Sequence, residues 1–177
     1  MSCRLIQNIK HNCEYNAGGI KNIYLLDIRG FISYKYSGDR LYNECLVEEI
    51  NISAPNYLEL DIIDTSNFSE SQDNDIYRQS LTTFIRSLNA EKTANLLLAN
   101  SNKYLIIFRT NEGKTFCFGS DGGASINFSQ LSGQLGESSG YSVSIEKSSI
   151  YPLFEIDIDN TQYIDRIFND SFNDKFN

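Results

Sequence analysis

The chain has 177 residues and a formal net charge of −8 at pH 7, and 41% of its residues are apolar. This length suits one domain, or one domain with an extended arm, and the apolar content is sufficient for a hydrophobic core. The negative charge argues against a protein that holds nucleic acid by charge alone, because phosphate binding needs clustered Lys and Arg. The sequence contains no run of ~20 apolar residues, so no membrane span is predicted. Residues 1–9 lack the apolar run of a signal peptide.

The four cysteines do not form a metal or redox motif. None of them belongs to a Cys-x-x-Cys pair, and in a chain without an export signal we expect them to be reduced. They are Cys3, Cys13, Cys45 and Cys117.

Alternation of apolar and polar residues predicts strands along most of the chain. Clusters of Gly, Pro and Asn separate these strands, and the polar segment 64–75 is predicted to be a loop. The predicted strands are 19–28, 44–53, 57–63, 75–88, 103–110, 114–120, 141–148 and 153–159.

One helix is predicted at residues 89–101. Asn89 is a suitable N-cap, and the segment ends in Asn100-Ser101-Asn102. The apolar stripe that we expect to face the core consists of Ala94, Leu97 and Leu98, with Leu96 beside it.

A hairpin is predicted around "NEGK", where Gly113 can take a positive φ. After it comes "GSDGGASINFSQLSGQLGESSGYSVSI", residues 119–145, which we interpret as a long Gly/Ser-rich assembly loop. Its apolar residues need cover, because a lone hairpin carrying them would be marginal in water. That cover is either the loop's own domain or the next copy of the protein. The residues concerned are Ile126, Phe128, Leu131 and Leu135.

The sequence divides into an N-terminal arm at 1–18, a β domain at 19–159 and a C-terminal arm at 160–177. Apolar residues in the C-terminal arm follow helical spacing and need burial, either on their own domain or on a neighbouring subunit. These residues are Ile164, Phe168 and Phe172.

Groups for catalysis, metal binding or cofactor binding are not apparent. His11 is the only histidine, and with Cys13 it does not make a catalytic set. The segment after Asp157 resembles the start of a calcium loop, but Gln162 and Phe168 occupy positions that need Gly and Glu. We therefore expect neither an enzyme nor a cofactor.

The order of elements predicts a mainly β fold. Many short strands separated by turns favour an antiparallel β-sandwich or small barrel, here with one flanking α-helix. Strands do not alternate with helices, which disfavours a doubly wound parallel sheet.

Tyrosines at 34, 36 and 42 lie close together in the sequence. Exposed on one face, Tyr34, Tyr36 and Tyr42 would favour a host-surface or glycan-binding module. The plainer interpretation is that they are half-buried on a sheet, since Tyr is a common strand residue.

The order of several segments resembles the tail-tube and major-tail-protein family of tailed bacteriophages, including its tail-ring and tail-completion relatives. The similarity extends over about residues 18–157. It is carried by "GGIKNIYLLDI", "YRQSLTTFIRSL" followed by "NAEKTANLLLANS", "KYLIIFRTNEGKTFCFG", the Gly-rich segment, and "GYSVSIEKSSIYPLFEI".

The resemblance implies a structural subunit of the virion, assembled in the host cytoplasm into homo-oligomeric rings of six or more copies. The rings would contact other tail or connector proteins, and DNA would pass through the lumen during ejection without specific binding. The C-terminal arm is longer than the family pattern, so a tube subunit and a connector or hub subunit both stay open. The subunit contacts that the resemblance implies are Ile126, Phe128, Leu131 and Leu135 in the loop and Ile164, Phe168 and Phe172 in the arm.

Overall fold

A computed structural model describes residues 18–36, 45–53, 57–60, 66–134 and 137–157. Within these ranges the chain is mainly β, as the sequence predicts, with one α-helix. The strands are β1 (Ile20–Asp27), β2 (Phe31–Tyr36), β3 (Leu46–Ile52), β4 (Tyr57–Leu60), β5 (Asn67–Asp73), β6 (Ile76–Arg86), β7 (Tyr104–Thr110), β8 (Thr115–Phe118), β9 (Ser125–Leu131), β10 (Gly140–Ser149) and β11 (Phe154–Ile156); the helix is α1 (Ala90–Asn100).

The strands form two sheets. The large sheet has the order β2-β3-β11-β8-β7-β1-β4, and the small sheet has the order β5-β6-β10-β9. All pairs in the small sheet are antiparallel. The large sheet is mixed, because β11 pairs with β3 in parallel and with β8 in antiparallel.

The main core lies between the two sheets and under the helix. Alternate residues of β7 and β1 point into it from the large sheet, and alternate residues of β6, β9 and β10 point into it from the small sheet. Its largest fully buried members are Ile23, Leu25, Leu81, Ile106, Phe118, Ile126, Tyr141 and Ile145.

A second cluster is buried on the opposite face of the large sheet. The sheet curls over this face so far that the ring of Tyr34 in β2 lies 5.4 Å from the ring of Phe154 in β11. The curl gives the large sheet a barrel-like half with its own interior, which also encloses Val47, Leu105, Ile107 and Cys117.

The helix begins where the sequence predicts, but a different face is buried. The Asn89 side chain accepts a hydrogen bond from the Lys92 backbone N–H at 2.7 Å, as expected for an N-cap. Leu96 and Ala99 face the core, whereas Leu97 and Leu98 are 56% and 66% exposed. The predicted stripe of Ala94, Leu97 and Leu98 is therefore wrong.

Two hydrogen bonds fix the rotation of α1. The Thr93 hydroxyl lies 2.7 Å from the Tyr141 hydroxyl, and the Asn100 side-chain amide donates to the Ile126 carbonyl at 2.6 Å. Thr93, Leu96 and Asn100 occupy one face of the helix at spacings of three and four. The face of α1 that contacts the sheets thus includes polar residues. The pattern of apolar residues alone therefore predicts the wrong face.

Two segments that the sequence predicts as loops are strands. The segment 64–75 contains β5, which joins β6 through a turn in which Asn74 and Asp75 both have positive φ. The predicted assembly loop contains β9, which pairs with β10 from Leu131↔Gly140 to Ser125↔Glu146. Loop remains only on either side of β9, and residues 135–136 lie outside the described ranges.

Candidate functional site

The outer face of the small sheet carries mostly short hydroxyl and amide side chains. Because strand residues alternate between faces, the residues that alternate with the buried core positions of β5, β6, β9 and β10 point outward here. We call this surface the hydroxyl face. Its members are Asn67, Ser69, Ser71, Asp73, Ile76, Arg78, Ser80, Thr82, Phe84, Arg86, Ser125, Asn127, Ser129, Leu131, Ser142, Ser144, Glu146 and Ser148.

The register aligns these side chains in rows across the strands. One row runs through Asn67, Thr82, Ser144 and Asn127, and the Thr82 hydroxyl donates to the Asn67 side chain within it. The next row runs through Ser69, Ser80, Glu146 and Ser125. The result is a polar surface with few long side chains.

An open depression of about 470 Å³ lies toward one end of the hydroxyl face. Serines of all four strands line it, and Arg78 and Glu146 are its charged side chains on this face. Arg78 also pairs with Asp73 at 3.2 Å. The depression can offer hydroxyl, guanidinium and carboxylate groups to a polar ligand.

The small sheet has two edge strands, β5 and β9. Within the described ranges, β5 pairs only with β6, and β9 pairs along its length only with β10. Edge strands carry backbone N–H and C=O groups that can bond to another chain. The Asn100 side chain covers one such group of β9, the Ile126 carbonyl.

Next to β9, the helix presents Leu97 and Leu98 to solvent. Since their neighbours Leu96 and Ala99 already fill the side of α1 that packs on the sheets, these two leucines have no described apolar cover. We call this pair the helix patch.

The predicted interface residues differ in how far they are buried. Ile126 is 1% exposed in the main core, so its assignment as a subunit contact is wrong: its side chain is enclosed by its own chain. Phe128 is half-buried against the same core, with its ring 6.3 Å from that of Tyr141. Leu131 is exposed at the end of β9. The remaining predicted contacts, Leu135, Ile164, Phe168 and Phe172, lie outside the described residues.

The two described tyrosines of the group proposed for glycan binding, Tyr34 and Tyr36, are not both exposed. Tyr34 is half-buried, and its hydroxyl is enclosed in the interior of the curled sheet. Its ring contacts those of Phe31 and Phe154. Tyr36 is exposed at the end of β2, and Tyr42 lies outside the described residues.

The Tyr34 hydroxyl lies beside the Cys117 thiol inside the curled sheet. Burial raises the pKa of Cys117 from its ordinary value of 9.0 to about 12, and burial also raises the pKa of Tyr34 well above its usual range. Burial thus favours the neutral forms of both groups, and the Cys117 side chain packs as a core residue.

We expect the free energy of unfolding to fall between about pH 9 and 12, because the unfolded Cys117 thiol ionises there while the folded one stays neutral. Urea titrations across this range measure the effect. Cys117→Ala should reduce the pH dependence, whereas Cys45→Ala, which changes an exposed thiol, should not. Equal slopes in the wild type and Cys117→Ala would contradict this assignment.

In the described part of the chain, no group of three or more His, Cys, Asp or Glu side chains could hold a metal ion. Along the same ranges, no helix has the length and hydropathy needed to cross a bilayer.

Comparison with protein-family models, with curated proteins and with solved structures finds no match for this chain.

Proposed function

We propose that this chain is a structural subunit that assembles into rings around a channel, as the tail-tube and connector-ring proteins of tailed bacteriophages do. The hydroxyl face is the observation that carries the proposal. In this role the face lines the channel, and the chain has no catalytic activity and no cofactor.

The chemistry of the hydroxyl face suits the passage of DNA. Lys and Arg clusters would bind phosphates, and exposed apolar side chains would be left against water. The short hydroxyl and amide groups in the middle rows of the face avoid both effects. Arg78 and Arg86 are the two basic residues among the outward side chains of the face, and Asp73 offsets the charge of Arg78. The net charge of −8 also disfavours retention of a polyanion.

The two edges of the small sheet support lateral assembly. They belong to opposite sides of one sheet, so a contact between β5 of one copy and β9 of the next is head-to-tail. Repeated head-to-tail contacts form a ring when the rotation closes. The helix patch lies beside β9 and would add apolar burial to this contact.

In this proposal the partners are further copies of the chain, in rings of six or more, together with other tail or connector proteins. DNA passes through the lumen without sequence-specific contacts. The site of action is the virion tail, which is assembled in the host cytoplasm.

Charging the helix patch tests the lateral contact. We expect Leu97→Asp combined with Leu98→Asp to give single subunits at concentrations where the wild type forms rings, because the contact would bury unpaired carboxylates. Sedimentation velocity measures the sizes, and circular dichroism should be unchanged. Ile32→Asp is the control, since Ile32 is 64% exposed on β2 in the other sheet. Normal rings from the double variant would contradict the lateral contact.

The depression on the hydroxyl face supports a second candidate function, a glycan-binding module. Serine hydroxyls with Arg78 and Glu146 could bond to sugar hydroxyls. This candidate predicts a monomer that binds oligosaccharides and loses binding on Arg78→Ala or Glu146→Gln. Ring assembly without binding would exclude it.

A further inference from the structure

Within the described residues, backbone pairing attaches β2 and β3 to the rest of the large sheet only through β11. β2 pairs with β3, and β3 pairs on its other side with β11. β11 has three residues, and the ladders on its two sides are the shortest in the sheet. Because so few hydrogen bonds cross this point, it is where the large sheet separates most easily. We call β2, β3 and β11 together the flap.

The flap contributes no residue to the main core. Among the described residues, the buried members of that core come from the other strands, from α1 and from Ala124. The flap instead covers the second cluster, where the ring of Phe154 lies 5.4 Å from that of Tyr34. Phe154 pairs with Cys117 of β8, which is fully buried. Opening the flap therefore uncovers Cys117 and leaves the main core packed.

Side chains of the small sheet hold the segment that leads into β11. Glu70 Oε2 accepts hydrogen bonds from the Leu153 N–H and from the Gln79 side-chain amide, both at 2.8 Å. The same Gln79 amide donates to the Tyr151 carbonyl at 3.2 Å. Glu70 of β5 and Gln79 of β6 are themselves a cross-strand pair. We call these two residues the latch, because they bond to the chain at two points just before β11.

The position of Gln79 carries a cost for the fold. Gln79 is 2% exposed, and its Oε1 atom has no hydrogen-bond partner among the described residues. A buried acceptor without a partner is destabilising, and an apolar residue would avoid that loss. The Nε2 atom makes both bonds of this side chain, to Glu70 and to Tyr151. Glu70 is an exposed residue, so water competes for its bonds and the latch can release without global unfolding.

We propose that the flap opens as a local unit and that the latch sets how often it opens. In the open state, the backbone groups of β8 that pair with β11 become an unpaired strand edge, and the Cys117 thiol becomes accessible. The inference goes beyond the proposed assembly and does not depend on it, because every contact that it uses lies within one subunit.

Labelling of Cys117 tests the role of the latch. The chain is prepared with Cys3, Cys13 and Cys45 changed to Ser, so that Cys117 is the only thiol and its reaction with a maleimide at pH 8 reports opening. We expect Glu70→Ala to raise the labelling rate by at least about tenfold, because it removes two hydrogen bonds to a carboxylate. An unchanged labelling rate would overturn the proposal.

Glu59→Ala in the same background is the matched control. Glu59 is also exposed and accepts a side-chain hydrogen bond, from Asn22 at 3.2 Å, but it lies on β4 at the opposite edge of the large sheet. Its labelling rate should stay within about twofold of the background. Glu70→Gln keeps an acceptor oxygen and should raise the rate less than Glu70→Ala. An equal rise in Glu59→Ala and Glu70→Ala would indicate a general loss of stability and overturn the proposal.

Hydrogen exchange and urea separate opening of the flap from global unfolding. With Glu70 intact, the amides of β3 and β11 should exchange faster than those of β1, β7 and β10. The labelling rate of Cys117 should depend only weakly on urea below the unfolding transition, because local opening exposes little surface. Both measurements apply even when Glu70→Ala does not fold. Equal exchange of the β3 and β10 amides, or a urea dependence as steep as that of global unfolding, would overturn the proposal.

Discussion

Replacing Tyr141 by alanine is expected to lower the free energy of unfolding by about 3–5 kcal/mol, the range for deleting a large buried aromatic side chain. Tyr141 is fully buried and is the largest side chain in that class. Its ring packs near Phe128, and its hydroxyl accepts a hydrogen bond from the Asn89 N–H at 3.1 Å and donates to the Asn89 carbonyl at 2.9 Å. One residue of β10 thus holds both the core and the first turn of α1.

Tyr141→Phe separates these two contributions. It keeps the ring but leaves the Asn89 backbone N–H without the Tyr141 hydroxyl as its acceptor, at a cost of about 1–3 kcal/mol. Thr93→Val removes the hydroxyl that lies against that of Tyr141. The loss of unfolding free energy in the double variant should be smaller than the sum of the two single losses. Urea denaturation gives the energies, and hydrogen exchange should report opening of α1 in Tyr141→Phe. A loss below about 1 kcal/mol for Tyr141→Ala would contradict its place in the core.

Gly140→Ala is expected to destabilise the chain by at least about 3 kcal/mol, at the upper end of overpacking costs. A Cβ atom on Gly140 would lie 2.1 Å from the Ile85 carbonyl oxygen and 3.0 Å from the Arg86 Cα. These are backbone atoms of β6, so they cannot move away without breaking the β6–β10 ladder. The methyl group therefore forces the two central strands of the small sheet apart.

Ser142→Ala is the control for Gly140→Ala. Ser142 lies on the same strand two residues away, and its side chain is exposed on the hydroxyl face, so its replacement should change stability by no more than about 0.5 kcal/mol. Denaturant midpoints measure both variants. Equal stability of Gly140→Ala and Ser142→Ala would show that the strands are not as close at this point as described.

Strands with large alternating apolar residues could be predicted from the sequence. β1, β6 and β10 were predicted within a few residues of their bounds, and so was the β7–β8 hairpin, where Gly113 has a φ of 89°. The physical reason is that each of these strands sends Ile, Leu, Val or Phe into a core, which produces a clear period of two.

The two strands that the sequence predicts as loops have weaker patterns. β5 has one half-buried apolar residue, Phe68, among Ser, Glu and Gln, and β9 has only Ile126 and Phe128 facing inward. Ser and Asn are typical of loops, and the glycines on both sides of β9 also favour a loop. Pairing with β6 and β10 overrides these local preferences.

The hydroxyl face could not be predicted, because it is a property of four strands in register. Ser69, Ser80, Glu146 and Ser125 form one row but come from distant parts of the sequence. The signal within a single strand is Ser at alternate positions, as at Ser142, Ser144 and Ser148. Without the pairing partners, this signal cannot be distinguished from that of a polar loop.

Electron microscopy of the purified wild-type chain at increasing concentration tests both ring assembly and the position of the hydroxyl face. We expect closed rings whose channel wall is formed by β5, β6, β10 and β9, with the hydroxyl face inward. Single subunits at every concentration, or rings in which the hydroxyl face lies on the outside, would contradict it.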